Sequence, residues 1–84
     1  MTPAEAQGLQ DAARARGRWL MWFVSRERSG RFVARAHTTA HGGAWLPDVL
    51  AADTLDTLRA MLPRGLTRQD RTSVMGPEVL EVWD

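Results

Sequence analysis

The sequence contains no cysteine. Disulfide bonds, thiol chemistry and cysteine-type zinc sites are therefore excluded, and this composition fits a reducing, cytoplasmic setting. Long apolar runs are also missing, since the longest, residues 19–24, has six residues, whereas a membrane-spanning helix needs about 20. No basic stretch followed by an apolar core marks a secretory signal. We expect a cytoplasmic protein that does not enter a membrane.

Lysine is absent as well, so all 11 cationic side chains are arginines. Seven of them lie between residues 14 and 35, where Glu27 is the only acid. The chain as a whole nevertheless carries a net charge of only +1, with an isoelectric point near 9.0. Dedicated nucleic-acid-binding domains usually exceed this value. The arginine-rich stretch therefore has two interpretations: a basic binding surface, or the codon usage of a GC-rich genome.

The length and composition predict a single domain over residues 1–84. Of the 84 residues, 44% are hydrophobic and 25% are charged, which is typical of a globular protein. A chain of this size buries only about 60–70% of the surface that it exposes when unfolded, so its core is small. Four tryptophans enlarge that core, and association with a second copy is another common way to stabilise a small domain.

Residues 1–17 predict an N-terminal helix. Thr2 suits the N-cap, Pro3 the first helical position, and Glu5 completes a capping box. Gly17 is suited to end the helix. The apolar stripe is thin, so we expect this helix to dock loosely or to complete its apolar face against a partner. The stripe consists of Ala6, Leu9 and Ala13.

Residues 18–39 predict a β-hairpin with a turn at residues 27–31, where Gly30 allows a tight reversal. The first strand is apolar on both faces. The length of the loop decides which of these faces lies beside the apolar face of the second strand. A loop of two or four residues selects one face, and a loop of three residues selects the other. We prefer the first arrangement, which places Trp19, Met21 and Phe23 beside Phe32, Ala34 and Ala36.

Either register leaves one apolar hairpin face, whose alanines give room for a helix, and one mixed face. The mixed face combines an aromatic side chain, for which we choose Trp22, with Arg35 and His37. Arginine beside aromatic side chains on a sheet is typical of surfaces that stack bases, and also of protein interfaces. The residues predicted to bind a protein or nucleic-acid partner are Trp22, Arg26, Arg28, Arg31, Arg35 and His37.

The rest of the chain predicts a short third strand and a second helix. The strand covers residues 44–46 and stops at Pro47. The helix covers residues 54–62, with Asp53 as its N-cap and a leucine stripe that fits the apolar hairpin face.

Residues 64–76 predict a basic surface loop, and residues 78–83 a final strand. The loop is a secondary candidate site that carries Arg64, Arg68 and Arg71. The predicted fold class is therefore α+β, in the order α-β-β-(β)-α-β, with an antiparallel meander sheet and helices packed on one face.

No catalytic, cofactor-binding or metal-binding pattern is recognisable. His37 and His41 are four residues apart but lie in a strand and beside a glycine pair, so a metal site would need a further ligand such as Asp48. Serine in a nucleophile elbow and a phosphate-binding glycine loop are both missing. Glu81 alternates with apolar residues, which leaves two alternatives: partial burial near an arginine, or a salt bridge at the sheet rim. We expect the salt bridge at the rim. We predict no enzyme activity, no cofactor and no metal.

Two functions remain. The first is a small non-catalytic protein-interaction domain that binds a second copy of itself through the mixed hairpin face. The second is nucleic-acid binding or small-regulator function through the same face. Two strands followed by the Thr- and Leu-rich stretch 53–58 resemble HicB-type antitoxins over about half the chain. The N-terminal helix and residues 38–52 depart from that pattern, so the resemblance only favours the second function slightly.

Overall fold

The computed structural model describes residues 1–38, 43–69 and 78–84. The elements in these residues follow the order α1 (Pro3–Ala15), β1 (Leu20–Arg26), β2 (Phe32–Thr38), β3 (Ala44–Ala52), α2 (Leu55–Met61), β4 (Arg68–Gln69) and β5 (Val79–Trp83).

The strands form one antiparallel sheet in the order β3-β2-β1-β5-β4. The first three strands make the predicted meander, and β5 returns to pair with the free side of β1. The α+β prediction and the order of the elements are confirmed. The addition is β4, a two-residue strand within the segment that we predicted as a loop.

The register of the first hairpin differs from the one that we preferred. Trp22 pairs with Ala36 and Val24 pairs with Ala34, so the even-numbered residues of both strands share a face. The turn is closed by a hydrogen bond from the Glu27 amide to the Arg31 carbonyl at 2.8 Å, which leaves three residues in the loop. Gly30 has a φ of 90°, as the αL position of a three-residue hairpin loop requires. Our preferred register was therefore wrong.

Both helices pack on the face that carries Trp22. Ala34 and Ala36 lie under them and are fully buried, together with Leu50 and Leu58. The small alanine side chains leave the volume that the helices occupy, as the sequence predicted.

Helix α1 begins at the predicted capping box. The Thr2 hydroxyl accepts from the Glu5 amide at 3.1 Å, and the Glu5 carboxylate accepts from the Thr2 amide at 2.9 Å. The buried side of the helix differs from the prediction, because Gln10 rather than Leu9 faces the sheet. The Trp22 indole Nε1 donates to Gln10 Oε1 at 2.9 Å in a buried hydrogen bond. This bond and the packing of fully buried Ala6 fix the helix on the sheet.

Helix α2 is capped by Thr54 rather than by Asp53. The Thr54 hydroxyl accepts from the Thr57 amide at 3.2 Å. Asp53 lies one residue earlier and instead pairs with Arg31, with 3.4 Å between the carboxylate and guanidinium. Threonine and aspartate are both good N-caps, so residue type alone did not decide between neighbouring positions.

Strand β3 does not stop at Pro47 but runs through it. The pairing of β2 with β3 shifts register between Arg35 and His37, which places Pro47 at an irregularity in an edge strand. Proline costs no ladder hydrogen bond there, because its missing N–H is not needed. The prediction of a strand limited to residues 44–46 was therefore wrong.

Candidate functional site

The sheet face opposite the helices carries the candidate site, which we call the open face. The register places Phe23 beside Arg35, and Met21 beside His37, on this face. The pairing of His37 with Trp45 adds the edge strand to it. The open face therefore combines β1, β2 and β3. The main hydrophobic cluster lies on the other side, and on the open face Val33 and Val82 are also buried.

Three rings form a cluster on the open face. The centroids of His37 and Trp45 lie 4.8 Å apart, those of Phe23 and Trp45 lie 5.1 Å apart, and all contacts are edge-to-face. A Cβ on Gly43 would lie 3.0 Å from Cε1 of His37, so the glycine lets the main chain lie against that ring. Edge-to-face contacts stabilise aromatic pairs beyond their burial. The cluster is therefore a defined arrangement, and 53% of Trp45 remains exposed.

A groove of about 290 Å³ lies beside this cluster and contains charges of both signs. Arg35 provides the positive charge, and Glu27 and Glu78 provide the negative charges. The groove is thus an aromatic and aliphatic surface with a mixed polar lining. Its lining residues are Phe23, Ser25, Glu27, Val33, Arg35, Trp45, Glu78 and Val79.

Trp22 does not lie on this face, contrary to our prediction. It is 0% exposed and lies under α1, because the three-residue loop joins the even-numbered residues of β1 to the alanines of β2. The same register brings Phe23 to the open face in its place. Trp45 was missed because the predicted meander gave no register between β2 and β3, so the pairing of Trp45 with His37 did not follow from the sequence pattern.

The predicted basic residues are dispersed rather than gathered on the open face. Arg26 belongs to the even-numbered residues of β1, which share the helix side of the sheet. Its guanidinium carbon lies 5.4 Å from the Phe32 ring centroid. Arg28 lies in the exposed turn, and Arg31 follows it and pairs with Asp53. Of the six predicted residues, the structure brings together only Arg35 and His37.

The predicted basic loop is divided in the same way. Arg64 is exposed in the turn that follows α2, and Arg68 belongs to β4. Arg71 lies outside the described residues, as does His41.

Glu81 is buried between α2, β4 and β5, rather than at the rim where we expected it. It is 8% exposed. Its two oxygens accept from both Nε and Nη2 of Arg59, from Arg68 Nη1 at 3.2 Å and from the Trp83 indole at 3.1 Å. The Arg59 hydrogen bonds hold the pKa of this carboxyl below its ordinary value, although burial opposes them. Both oxygens of Glu81 thus accept hydrogen bonds, and these bonds join β5 to α2 and β4.

Among the residues that the structure describes, no three histidine, aspartate or glutamate side chains are grouped to suit a metal ion. Neither described helix has the length and apolar character needed to cross a bilayer. Comparison of the chain with protein-family models, curated proteins and solved structures found no match. The resemblance to HicB-type antitoxins therefore stays a prediction from the sequence pattern.

Proposed function

We propose that this protein is a small non-catalytic interaction domain whose open face binds the open face of a second copy. One observation carries the proposal. Both helices pack on one side of the sheet, and the other side presents a half-exposed tryptophan in an aromatic cluster. Tryptophan is prominent among the residues that dominate interface energies.

The exposed part of Trp45 is large enough to matter. A tryptophan side chain presents up to about 250 Å², so the 53% exposure leaves roughly 130 Å² in contact with water. Burial of that area contributes about 3 kcal/mol per copy at about 25 cal/mol per Å². This is the gain before the entropic cost of association, so neighbouring side chains must contribute as well.

The charges of the groove favour a second copy of this chain as the partner. A two-fold interface brings the same patch of each copy together, so the patch must complement itself. Arg35 and the two glutamates of the groove meet that condition, because the cation of one copy can pair with an anion of the other. A nucleic acid at the same face would meet both glutamates. Of the six residues that we predicted to bind a partner, it would meet only Arg35 and His37.

The test is the mass of the protein in solution, measured by sedimentation equilibrium over a wide concentration range. We expect the wild type to form dimers and Trp45→Glu to remain monomeric. Leu9→Glu is the matched control, because it places the same charge on an exposed apolar residue of α1, on the helix side. It should dimerise like the wild type.

Trp22→Glu is unsuitable for this test, since a charge in the core would unfold the domain. Circular dichroism should show the native helix and strand content for both variants used. A monomeric wild type, or a dimer that Trp45→Glu leaves intact, would contradict the proposal. A cytoplasmic location, which the cysteine-free sequence fits, belongs to the proposal and is tested by cell fractionation.

A further inference from the structure

Several arginines make no ion pair within the described residues, and four of them gather at one end of the molecule. Ion pairs with carboxylates occupy Arg31, Arg59 and Arg68. The four at the end are supplied by the C-terminal end of α1 and by the turn between α2 and β4. We call this group the arginine end; it consists of Arg14, Arg16, Arg18 and Arg64.

The main chain at the end of α1 keeps three of these arginines close. Gly17 has a φ of 67°, and its amide donates to the Arg14 carbonyl at 3.0 Å. The Arg18 amide then donates to the Ala13 carbonyl at 2.8 Å. These two bonds form a helix C-cap of the Schellman type, which turns the chain back on the last helical turn.

Contacts between the two elements add Arg64 to the group. Its amide donates to Gln7 Oε1 at 2.8 Å, which ties the turn to α1. A Cβ on Gly65 would lie 3.2 Å from Nη2 of Arg14, so the Arg14 guanidinium lies against the turn. The Arg14 guanidinium therefore lies beside the turn that carries Arg64, although the two residues are distant in sequence.

An exposed indole lies at the same end. Trp19 follows Arg18 directly and is 59% exposed. Its Nε1 donates to Asp84 Oδ2 at 3.2 Å, and the Asp84 amide donates to the Thr67 carbonyl at 3.1 Å. Trp19 is thus held beside the segment that begins with Arg64, with most of its surface open to solvent.

Among the residues that the structure describes, arginines outnumber acids at this end. The acids bonded to the same elements are Asp11, which accepts from Gln7 at 3.0 Å, and Asp84, which accepts from Trp19. Guanidinium groups bind phosphate oxygens in paired hydrogen bonds. An exposed aromatic ring beside such cations is what proteins use to stack the bases of single strands.

We propose that the arginine end and Trp19 bind a single-stranded nucleic acid, with phosphates on the arginines and a base on the indole. This surface shares no residue with the open-face cluster. A failure of the self-association proposal therefore leaves this one standing, and the reverse is also true.

The test is fluorescence anisotropy with a labelled single-stranded RNA or DNA of about 12 nucleotides, at salt concentrations from about 50 to about 200 mM. Four neutralised phosphates predict a slope of about −3 for the logarithm of the binding constant against the logarithm of the salt concentration. Combined Arg14→Ala and Arg64→Ala substitutions should make this slope shallower by about 1 to 1.5. Arg28→Ala is the control, because Arg28 is also an exposed arginine but lies in the hairpin turn. It should change the slope less than Arg14→Ala alone does.

Trp19 supplies the second readout. Trp19→Ala should weaken binding by about fivefold or more, and Trp19→Phe should restore most of it, because phenylalanine keeps the stacking face but cannot donate to Asp84. If Phe failed to restore binding, Trp19 would act only through the Asp84 bond. Absence of binding at low salt, an effect of Arg28→Ala as large as that of Arg14→Ala, or equal affinity for inorganic polyphosphate would each overturn the proposal.

Discussion

The hydrogen bond between Gln10 and Trp22 offers a sharp test of how α1 is fixed to the sheet. Trp22 is 0% exposed and Gln10 is 5% exposed, so water does not compete for the bond. Gln10→Leu keeps a side chain of similar size but removes the acceptor. The indole N–H then stays buried without a partner, which costs about 1–3 kcal/mol.

In a domain of this length, each kcal/mol lowers Tm by about 4–8 °C. We therefore expect Gln10→Leu to lower Tm by about 4 °C or more, measured by far-ultraviolet circular dichroism. Gln7→Leu is the matched control on the same helix. The hydrogen bonds of Gln7 are exposed, so water replaces them and the loss should be smaller.

A double-mutant cycle separates the bond from the packing. Trp22→Phe removes the donor and leaves Gln10 Oε1 without it, and it also shrinks a core side chain. In the double variant Gln10→Leu/Trp22→Phe neither partner is left unpaired, so the two losses should fall short of additivity by about 0.5–3 kcal/mol. Additivity within about 0.5 kcal/mol, or a Gln10→Leu variant as stable as the wild type, would refute the reasoning.

Two further predictions concern Glu81 and the cap of α2. The pKa of Glu81 is lowered by its bonds to Arg59, so this contribution to stability is complete above the unfolded value of 4.5 and disappears as the pH falls through the lowered pKa. Glu81→Gln should make Tm less dependent on pH in this acidic range. A variant whose Tm falls with acidification as steeply as that of the wild type would contradict this role of Glu81. Thr54→Ala should lower the free energy of unfolding, measured in urea, by about 1 kcal/mol, and Asp53→Ala should lower it less. A larger loss for Asp53→Ala would indicate that Asp53 is the N-cap.

Local signals in the sequence predicted the parts of the fold that depend on neighbouring residues. The capping box from Thr2 to Glu5, the end of α1 near Gly17 and the strands on either side of Gly30 all have their cause within a few positions. The alanines of β2 were also correctly placed under the helices. The helix cap, the helix end and the hairpin strands need no knowledge of distant contacts, and for the alanines a small side chain in an apolar strand face was a sufficient signal.

The register of the hairpin was not predictable in the same way. The polar residues 27–31 are compatible with loops of two, three or four residues, and a one-residue difference exchanges the two faces of β1. Both faces of β1 are apolar, so hydrophobic patterning did not favour one choice. The candidate site depended on that choice. We therefore placed Trp22 on the mixed face, whereas in the structure Phe23 lies on the open face and Trp22 lies under the helices.

The remaining misses depend on contacts between distant residues. Gln10 is buried where it accepts from the Trp22 indole, 12 residues away in sequence. Glu81 is buried because α2 and β4 both bring arginines to it. Polar residues usually lie at the surface, so the burial of Gln10 is not visible in a sequence pattern. For Glu81 the alternation with apolar residues indicated partial burial as an alternative, and the sequence did not favour it over the rim.

The two proposed surfaces are linked by the way in which β1 divides the molecule. Because its even-numbered residues bind the helices, Phe23 and the rings around it face away from α1. A dimer formed through the open faces would therefore leave α1 of each copy on the outside. The arginine ends would remain accessible, and two of them on one particle would bind a long strand more tightly than a short one. Self-association would then serve strand binding without any residue of the interface touching the nucleic acid.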